Sequence, residues 1–561
     1  MSTQRAGMGL PGNAVAHWLR GLFPLLWIAV LSLILYARTI PFDYTYLDDH
    51  QLVLGQMESL AKASAIPRAF TEDVFHNPGE KAFYYRPMLT VSFAIDAMVG
   101  GRNFAWFHVT NILLHILAAW LLFLLLTELG YERIKSFLFT LIFLAHPVLV
   151  HAVAWVPGRN DTLLAVFVFG SVLFFIRYMK TRDPARGMWH VALFVLALFT
   201  KETAISVPVI CIAYVLLADR KNRKALLFPG IAWLIITPAW LYLRYRILGG
   251  SHGYPIAESL SSILHNLPAL LPFVGKSLIP AGLSVFPIMK DMRLSMFIGI
   301  AGILAISALI ILTKQKDWRR ILFAVAWFLL FLIPAFIKSK SQEPDFTEHR
   351  VYVSLAGLIM LILEIAPIKN LQNFPSKTRS FNITSSFLIC IFLIFFILSI
   401  FHSRNYRNRI AFWTNAVEMS PSHAFNYNNL GAMYFLDNNL AEAEKYFRKA
   451  IEINPLEPLA NGNIGLVCMD TDRPEEAEKH YLIEIEINPG YDNVYFNLGL
   501  LYAKHNLPEQ AALAWEKLLA INPYYTEAYT DLIILYTGMN RQADAERIRA
   551  MAGERGIALK N

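Results

Sequence analysis

Charge is scarce in this chain. Of 561 residues only 16% are Asp, Glu, Lys or Arg, while 56% are hydrophobic and the mean hydropathy is +0.42. Soluble domains carry about a quarter charged residues, so the shortage excludes a soluble multidomain enzyme and points to a polytopic membrane protein. Cysteine is scarcer still: Cys211 and Cys390 lie in apolar runs and Cys468 lies in the tail. That distribution excludes the paired disulfide framework of small secreted proteins. A nucleic-acid surface is missing too. The pI is near 9.1, but the basic residues sit in short loops between apolar runs, where they report orientation, so no nucleic-acid partner is expected.

What charge there is divides unevenly. Residues 404–561 hold 15 Lys+Arg against 21 Asp+Glu, which leaves 35 against 21 for the remainder. The sequence thus reads as a basic membrane part, 1–403, and an acidic tail, 404–561.

The membrane part offers eleven apolar runs, at 18–37, 104–128, 137–156, 161–178, 188–200, 203–218, 226–247, 294–313, 320–337, 350–366 and 382–402. The first has Arg5 and Arg20 before it and no small-residue cleavage pattern after it, so it reads as an uncleaved helix. The loops YERIKS, RYMKTRDPAR, DRKNRK, KQKDWRR and IKNLQNFPSKTR carry the Lys and Arg and fall on the side of the N-terminus. The positive-inside rule makes that side cytoplasmic. Residues 259–287 are apolar but broken by Pro268, Pro272 and Pro280, and read as a broken or interfacial segment on the outer side. An odd number of spans then places the first long loop, 39–103, and the tail outside, in a periplasm or, in a eukaryote, the endoplasmic reticulum lumen. The expected fold is all-α: about eleven transmembrane helices followed by an α-solenoid.

The solenoid follows from a repeat. Pro421, Pro455, Pro489 and Pro523 recur every 34 residues, and Leu430-Gly431, Ile464-Gly465 and Leu498-Gly499 keep the same step, as do Ala443, Ala477, Ala511 and Ala545. That period is the mark of tetratricopeptide repeats, helix pairs that bury a face against the next pair. About four repeats occupy 420–557, with Asn426, Asn429, Asn463, Asn497 and Tyr495 as groove candidates for a protein or glycan partner.

Polar groups at membrane depth need a reason. They collect at the outer ends of the expected spans: Asp48-Asp49 and Arg86 in the first loop, His108, Asn111 and His115 on one helix face, then His146, His151, Arg159 and Asp161, then Lys201-Glu202, and last Glu348, His349 and Arg350.

Taken in order, DD after the first span, YRP, HP followed by GR-x-D, KE, and EHR-x-Y, with the repeat tail, resemble the transmembrane and tetratricopeptide repeat O-mannosyltransferases and their bacterial relatives within the GT-C glycosyltransferases. The resemblance covers nearly the whole chain. One departure is His151, where the animal members have Glu, so a catalytic role is not carried over to that position. The resemblance implies a polyprenyl-phosphate sugar donor held by the bilayer, with mannose as the example, and inverting transfer to a hydroxyl acceptor, such as protein Ser or Thr, on the outer face. It implies no metal and no further cofactor.

The residues allow such chemistry. An acceptor hydroxyl needs a general base, and Asp48 or Asp49 can serve; the favoured arrangement is Asp48 as base and Asp49 as cap or acceptor ligand. A departing lipid phosphate needs cations, and Arg86, Arg159, Lys201 and Arg350 can supply them, with His108, His151, Asp161, Glu202, Glu348 and His349 as further substrate-binding candidates. Plainer readings stand beside these. Asp48 with Gln51 fits a capping box, Asp161 fits a cap of the fourth span, Arg86 fits a loop brace, and Arg159 fits snorkelling to the interface. His108, Asn111 and His115 fit helix–helix glue, and Lys201-Glu202 a structural ion pair. Two rival functions are a lipid-linked saccharide transporter or flippase, and a non-catalytic repeat scaffold.

Overall fold

The computed structural model describes residues 21–75, 84–249, 256–337, 346–369 and 379–559. The head of the expected first span, 18–20, and the flanking Arg5 and Lys377 lie outside these residues. Among the described residues the chain is helical and forms no strand. It divides into two compact units, one ending at Asn415 and one beginning at Ala416.

Six helices of the first unit are long and apolar enough to cross a membrane: Ala105–Glu128, Val156–Thr181, Arg223–Ile247, Arg293–Leu312, Trp318–Phe336 and Ser385–Tyr406. A bent pair, Arg133–Leu144 and Pro147–Ala154, makes a seventh if counted as one span. Four more apolar helices, Phe23–Thr39, Pro87–Gly100, Pro184–Leu198 and Glu202–Leu217, have only 10–17 residues. The structure therefore describes a membrane protein with six or seven full-length spans among its described residues, not the expected eleven.

The shortfall has local causes. The run at 137–156 bends by 55° because Pro147 cannot continue a helix, and His146 turns extended to cap the next turn, its Nδ1 accepting from Val148 N at 3.3 Å. The run at 350–366 opens as a 3₁₀ turn, Glu348–Val351, and yields the nine-residue helix Leu355–Leu363. The runs on either side of Lys201 stay short because that residue is extended, with φ −159°. The proline-broken stretch forms Ile256–Asn266 and Leu270–Leu278. Leu270–Leu278 crosses Arg293–Leu312 backbone to backbone: a Cβ on Gly275 would stand 2.0 Å from Ser295 O, and one on Gly299 2.0 Å from Leu271 O.

Described residues of four of the five basic loops meet at one end of this unit. Glu128 takes Arg177 at 3.1 Å and Lys180 at 2.8 Å, Arg320 lies over Tyr131 at 5.2 Å, and Glu364 takes Arg320 at 3.5 Å and Lys369 at 2.9 Å. Helix Arg159–Thr181 runs from the opposite end to this one, so Asp161 in its first turn and Lys180 in its last mark the two faces.

The second unit holds four helix pairs: Ala424–Leu436 with Leu440–Ile453, Ala460–Asp470 with Pro474–Ile487, Asp492–Lys504 with Pro508–Ile521, and Thr526–Gly538 with Gln542–Glu554. Each pair turns at a residue with positive φ, namely Asn438, Asp472, Asn506 and Asn540, in register every 34 residues. Asn and Asp are the side chains that best tolerate that backbone. The repeated glycines have a steric cause as well: Gly431, Gly465 and Gly499 lie against the rings of Phe447, Tyr481 and Trp515, where an added Cβ would come within 2.3–2.7 Å. Two groove candidates prove internal. Asn426 is fully buried and bonds Ala416 O at 3.0 Å, and Tyr495 is buried with its hydroxyl donating to Pro489 O at 3.2 Å. Asn429, Asn463 and Asn497 are half-buried, with Asn463 bridging to Asn428 at 2.9 Å.

Candidate active site

At the end of the first unit away from the basic loops, two ion pairs lie side by side. Lys201 Nζ donates to both oxygens of Asp161, at 2.7 and 2.9 Å, and Arg86 Nη2 donates to Glu202 Oε2 at 3.0 Å. Lys201 and Glu202, adjacent in sequence, therefore do not pair with each other. The extended backbone at Lys201 sends them to different partners. Asn160 ties the pairs together: with its amide donating to Thr200 O at 2.9 Å, its oxygen accepts from Arg86 Nη1 at 3.0 Å. His349 Nε2 stands 3.8 Å from Asp161 Oδ2. Burial lowers the pKa of Lys201, the Asp161 carboxylate opposes that fall, and the charges of Arg86 and Arg350 add to it. Two cations, Arg86 and Lys201, thus pair with two carboxylates, Glu202 and Asp161, and the charge of Arg350 also reaches Lys201.

His151 links this cluster to neighbouring elements through ring contacts, 4.4 Å from the His349 centroid, 4.9 Å from Trp155 and 5.3 Å from Tyr406. Tyr406 begins a segment that grips the first loop, where Asp43 N donates to Arg407 O at 2.9 Å.

The acidic pair splits into two environments. Asp48 is half-buried and already helical, which is not the conformation of a capping residue. Asp49 is buried, and its Oδ2 accepts from Thr45 N at 2.7 Å and from Thr45 Oγ1 at 3.0 Å. Burial raises the Asp49 pKa to about 6 despite those hydrogen bonds. Asp49 makes no capping bond to the π-helical turn His50–Leu54, so the expectation of a cap at Asp49 is corrected.

Three other candidates belong elsewhere. Arg159 has no solvent exposure and is consumed by internal partners: Asp96 Oδ2 at 2.5 Å, Asn111 Oδ1 at 2.7 Å, Phe107 O at 2.7 Å and Ser92 O at 3.1 Å. It neither holds a phosphate nor snorkels. Glu348 is buried, accepts from Lys276 Nζ at 2.7 Å and Ser284 N at 2.9 Å, and lies 3.6 Å from His402. Burial alone would raise its pKa, but Lys276 and His402 hold it well below the usual carboxylate range. Glu348 is thus an anchor for the turn that carries His349 and Arg350, not a ligand. His108 packs edge-on against Phe42 and Phe104 under the first loop. Its helix neighbours act as glue: Asn111 Nδ2 reaches Trp155 O at 3.1 Å, and His115 contacts Tyr352 at 2.6 Å and Leu144 O at 3.1 Å.

Asp96, Lys276 and Thr45 escaped sequence reasoning. For Asp96 and Lys276 a signal existed, a lone charge inside an apolar stretch. For Thr45 there was none.

A tetratricopeptide repeat model matches residues 424–455. The chain is 27% identical over 186 residues to protein O-mannosyl-transferase Tmtc1 of Drosophila melanogaster, covering 33% of this chain and 21% of that protein. It is 29% identical over 166 residues to protein O-mannosyl-transferase TMTC2 of Mus musculus, covering 29% and 19%. These matches span about a fifth of the relatives' own length. A longer match, 24% identical over 516 residues, is to protein O-mannosyl-transferase TMTC4 of Mus musculus, covering 77% of this chain and 67% of that protein. Among solved structures, the crystal structure of MamA overlays 26% of this chain and 86% of its own, at 22% identity and a TM-score of 0.25. By sequence, the chain resembles the transmembrane and tetratricopeptide repeat O-mannosyltransferases.

Proposed function

We propose that this chain is a GT-C type membrane glycosyltransferase that transfers a sugar, with mannose favoured by the relatives' names, from a polyprenyl phosphate to a hydroxyl acceptor. The observation that carries the reading is the pair of cations Arg86 and Lys201 held by Glu202 and Asp161, with the Arg350 charge reaching Lys201, at the end of the bundle opposite the basic loops. Unpaired buried cations are costly, and here Glu202 holds Arg86 and Asp161 holds Lys201. A phosphate entering the cluster shares those cations without stranding any of them.

In this reading the lipid tail stays in the bilayer and fixes the anomeric carbon at the outer surface. Asp48 takes the proton of the attacking hydroxyl as its oxygen bonds to the anomeric carbon. The bond from that carbon to the phosphate oxygen breaks with inversion, and the charge released on the polyprenyl phosphate is met by Arg86, Lys201 and Arg350. Asp49 shapes the loop instead of accepting the proton. The repeats bind the protein or glycan acceptor, and the compartment is the non-cytoplasmic face.

The test is transfer from labelled polyprenyl-phosphate mannose to a Ser/Thr-rich peptide by purified protein in nanodiscs, with the glucose donor in parallel. Release of polyprenyl phosphate together with labelled peptide is the expected result. Movement of intact donor across a vesicle bilayer without transfer would replace the enzyme reading with a transporter.

A further inference from the structure

We infer that Trp413 is a positioning residue for the Asp48-Asp49 pair, acting through Thr45. The consequence for turnover rests on the function proposed above; the positioning itself does not.

Trp413 lies 368 residues from Thr45, after the last membrane helix, in a stretch whose sequence reads as tail. It is fully buried, and its Nε1 donates to Thr45 O at 3.0 Å. On its other side Thr45 donates twice to one Asp49 oxygen. One residue is therefore held from both directions, and it is the link between the indole and the acidic pair.

The backbone N–H groups of Tyr46 and His50 also stabilise the Asp49 carboxylate, but the loop that carries them is shaped from outside. Tyr46 has φ 59°, a left-handed backbone that a bulky side chain adopts only when its surroundings impose it. Those surroundings come from 407–413: Arg407 O accepts from Asp43 N, the Arg409 guanidinium lies 5.2 Å over the Tyr46 ring, and Trp413 bonds Thr45. Trp413 is itself fixed from a third segment, with Phe286 at 6.2 Å between ring centroids and Val285 N donating to Asn415 Oδ1 at 3.1 Å. The indole N–H thus aims a carboxylate it does not touch.

Carboxyl footprinting of the full-length protein in nanodiscs tests this. Water-soluble carbodiimide with glycine ethyl ester is the probe, and mass spectrometry reads the labelling at Asp49. Trp413→Phe keeps an aromatic ring and removes the N–H; labelling of Asp49 should rise several-fold. Thr45→Val should do the same, and Thr45→Ser should restore protection by returning the hydroxyl. Trp327→Phe is the control, because Trp327 is equally buried and bonds Val353 O at 3.0 Å in a different part of the bundle. In the mannose transfer assay, Trp413→Phe should lower kcat while leaving KM for the donor in place. Unchanged Asp49 labelling in Trp413→Phe and Thr45→Val, or an equal rise in Trp327→Phe, overturns the inference. If labelling behaves as expected but the wild-type protein transfers no sugar, the enzyme reading falls and the positioning role stands.

Discussion

Arg159 Nη2 lies 2.5 Å from Asp96 Oδ2 in a site closed to solvent, and the Phe93 ring faces the guanidinium at 4.8 Å. Removing one partner of such a pair leaves the other charged and buried. Arg159→Met should therefore destabilise by about 3–5 kcal/mol, and adding Asp96→Asn should recover part of the loss. Thermal unfolding of both variants in nanodiscs measures this. A stable Arg159→Met protein that has merely lost donor affinity would return Arg159 to the phosphate site.

The acidic pair should separate by role. Asp48→Asn removes the base and should cut turnover by roughly a hundredfold to ten-thousandfold with folding and donor binding nearly intact. Asp49→Asn keeps an oxygen facing Thr45 and should be milder. Equal turnover for Asp48→Asn and the parent would remove Asp48 from the mechanism.

Asp49 also predicts a pH dependence of stability. Its folded-state pKa of about 6 lies above the ordinary carboxylate value, so the protonated form favours the fold. The contribution is full below the unfolded pKa of about 4 and is lost as pH rises through 6, with a total of at most about 3 kcal/mol. The melting temperature of the parent relative to Asp49→Asn should fall between pH 4 and 7 and level off above. A flat difference would mean that Asp49 is not buried in this way.

Arg350 should matter for the donor. Arg350→Met removes a charge from the Lys201 cluster and should weaken binding of polyprenyl-phosphate mannose by about 1.5–3 kcal/mol, with Arg350→Lys falling between. Equilibrium binding of the labelled donor reads this directly; an unaffected constant would place the phosphate elsewhere.

Orientation is open to labelling. In a Cys390→Ser background, since Cys390 is the exposed thiol while Cys211 and Cys468 are buried, Ser64→Cys and Ser422→Cys should both react with an impermeant reagent applied from the non-cytoplasmic side. Reaction of only one would break the proposed topology.

Much of this protein was legible in its sequence for simple reasons. Helical repeats are local, so a step of 34 residues survives unchanged from Pro421-Pro455 into the turns at Asn438, Asp472, Asn506 and Asn540. Apolar composition reports the solvent, so the membrane part and its basic end could be read from hydropathy and loop charge. Span number was less legible: composition locates an apolar run but not the break at His146-Pro147 or the extended Lys201.

Pairing was decided by tertiary structure alone. Arg86, Arg159, Lys201 and Glu348 look alike in sequence, as charges beside apolar runs. Which of them joins the candidate site and which braces the interior depends on partners 40 to 116 residues away, namely Asp161, Asp96, Lys276 and Glu202. The hold on Asp49 likewise begins at Trp413, beyond the last membrane helix, because a buried indole N–H must find an acceptor and the folded chain offers it Thr45. Local composition sets where a segment resides; only the three-dimensional closure of polar groups on one another determines what each charge is left to do.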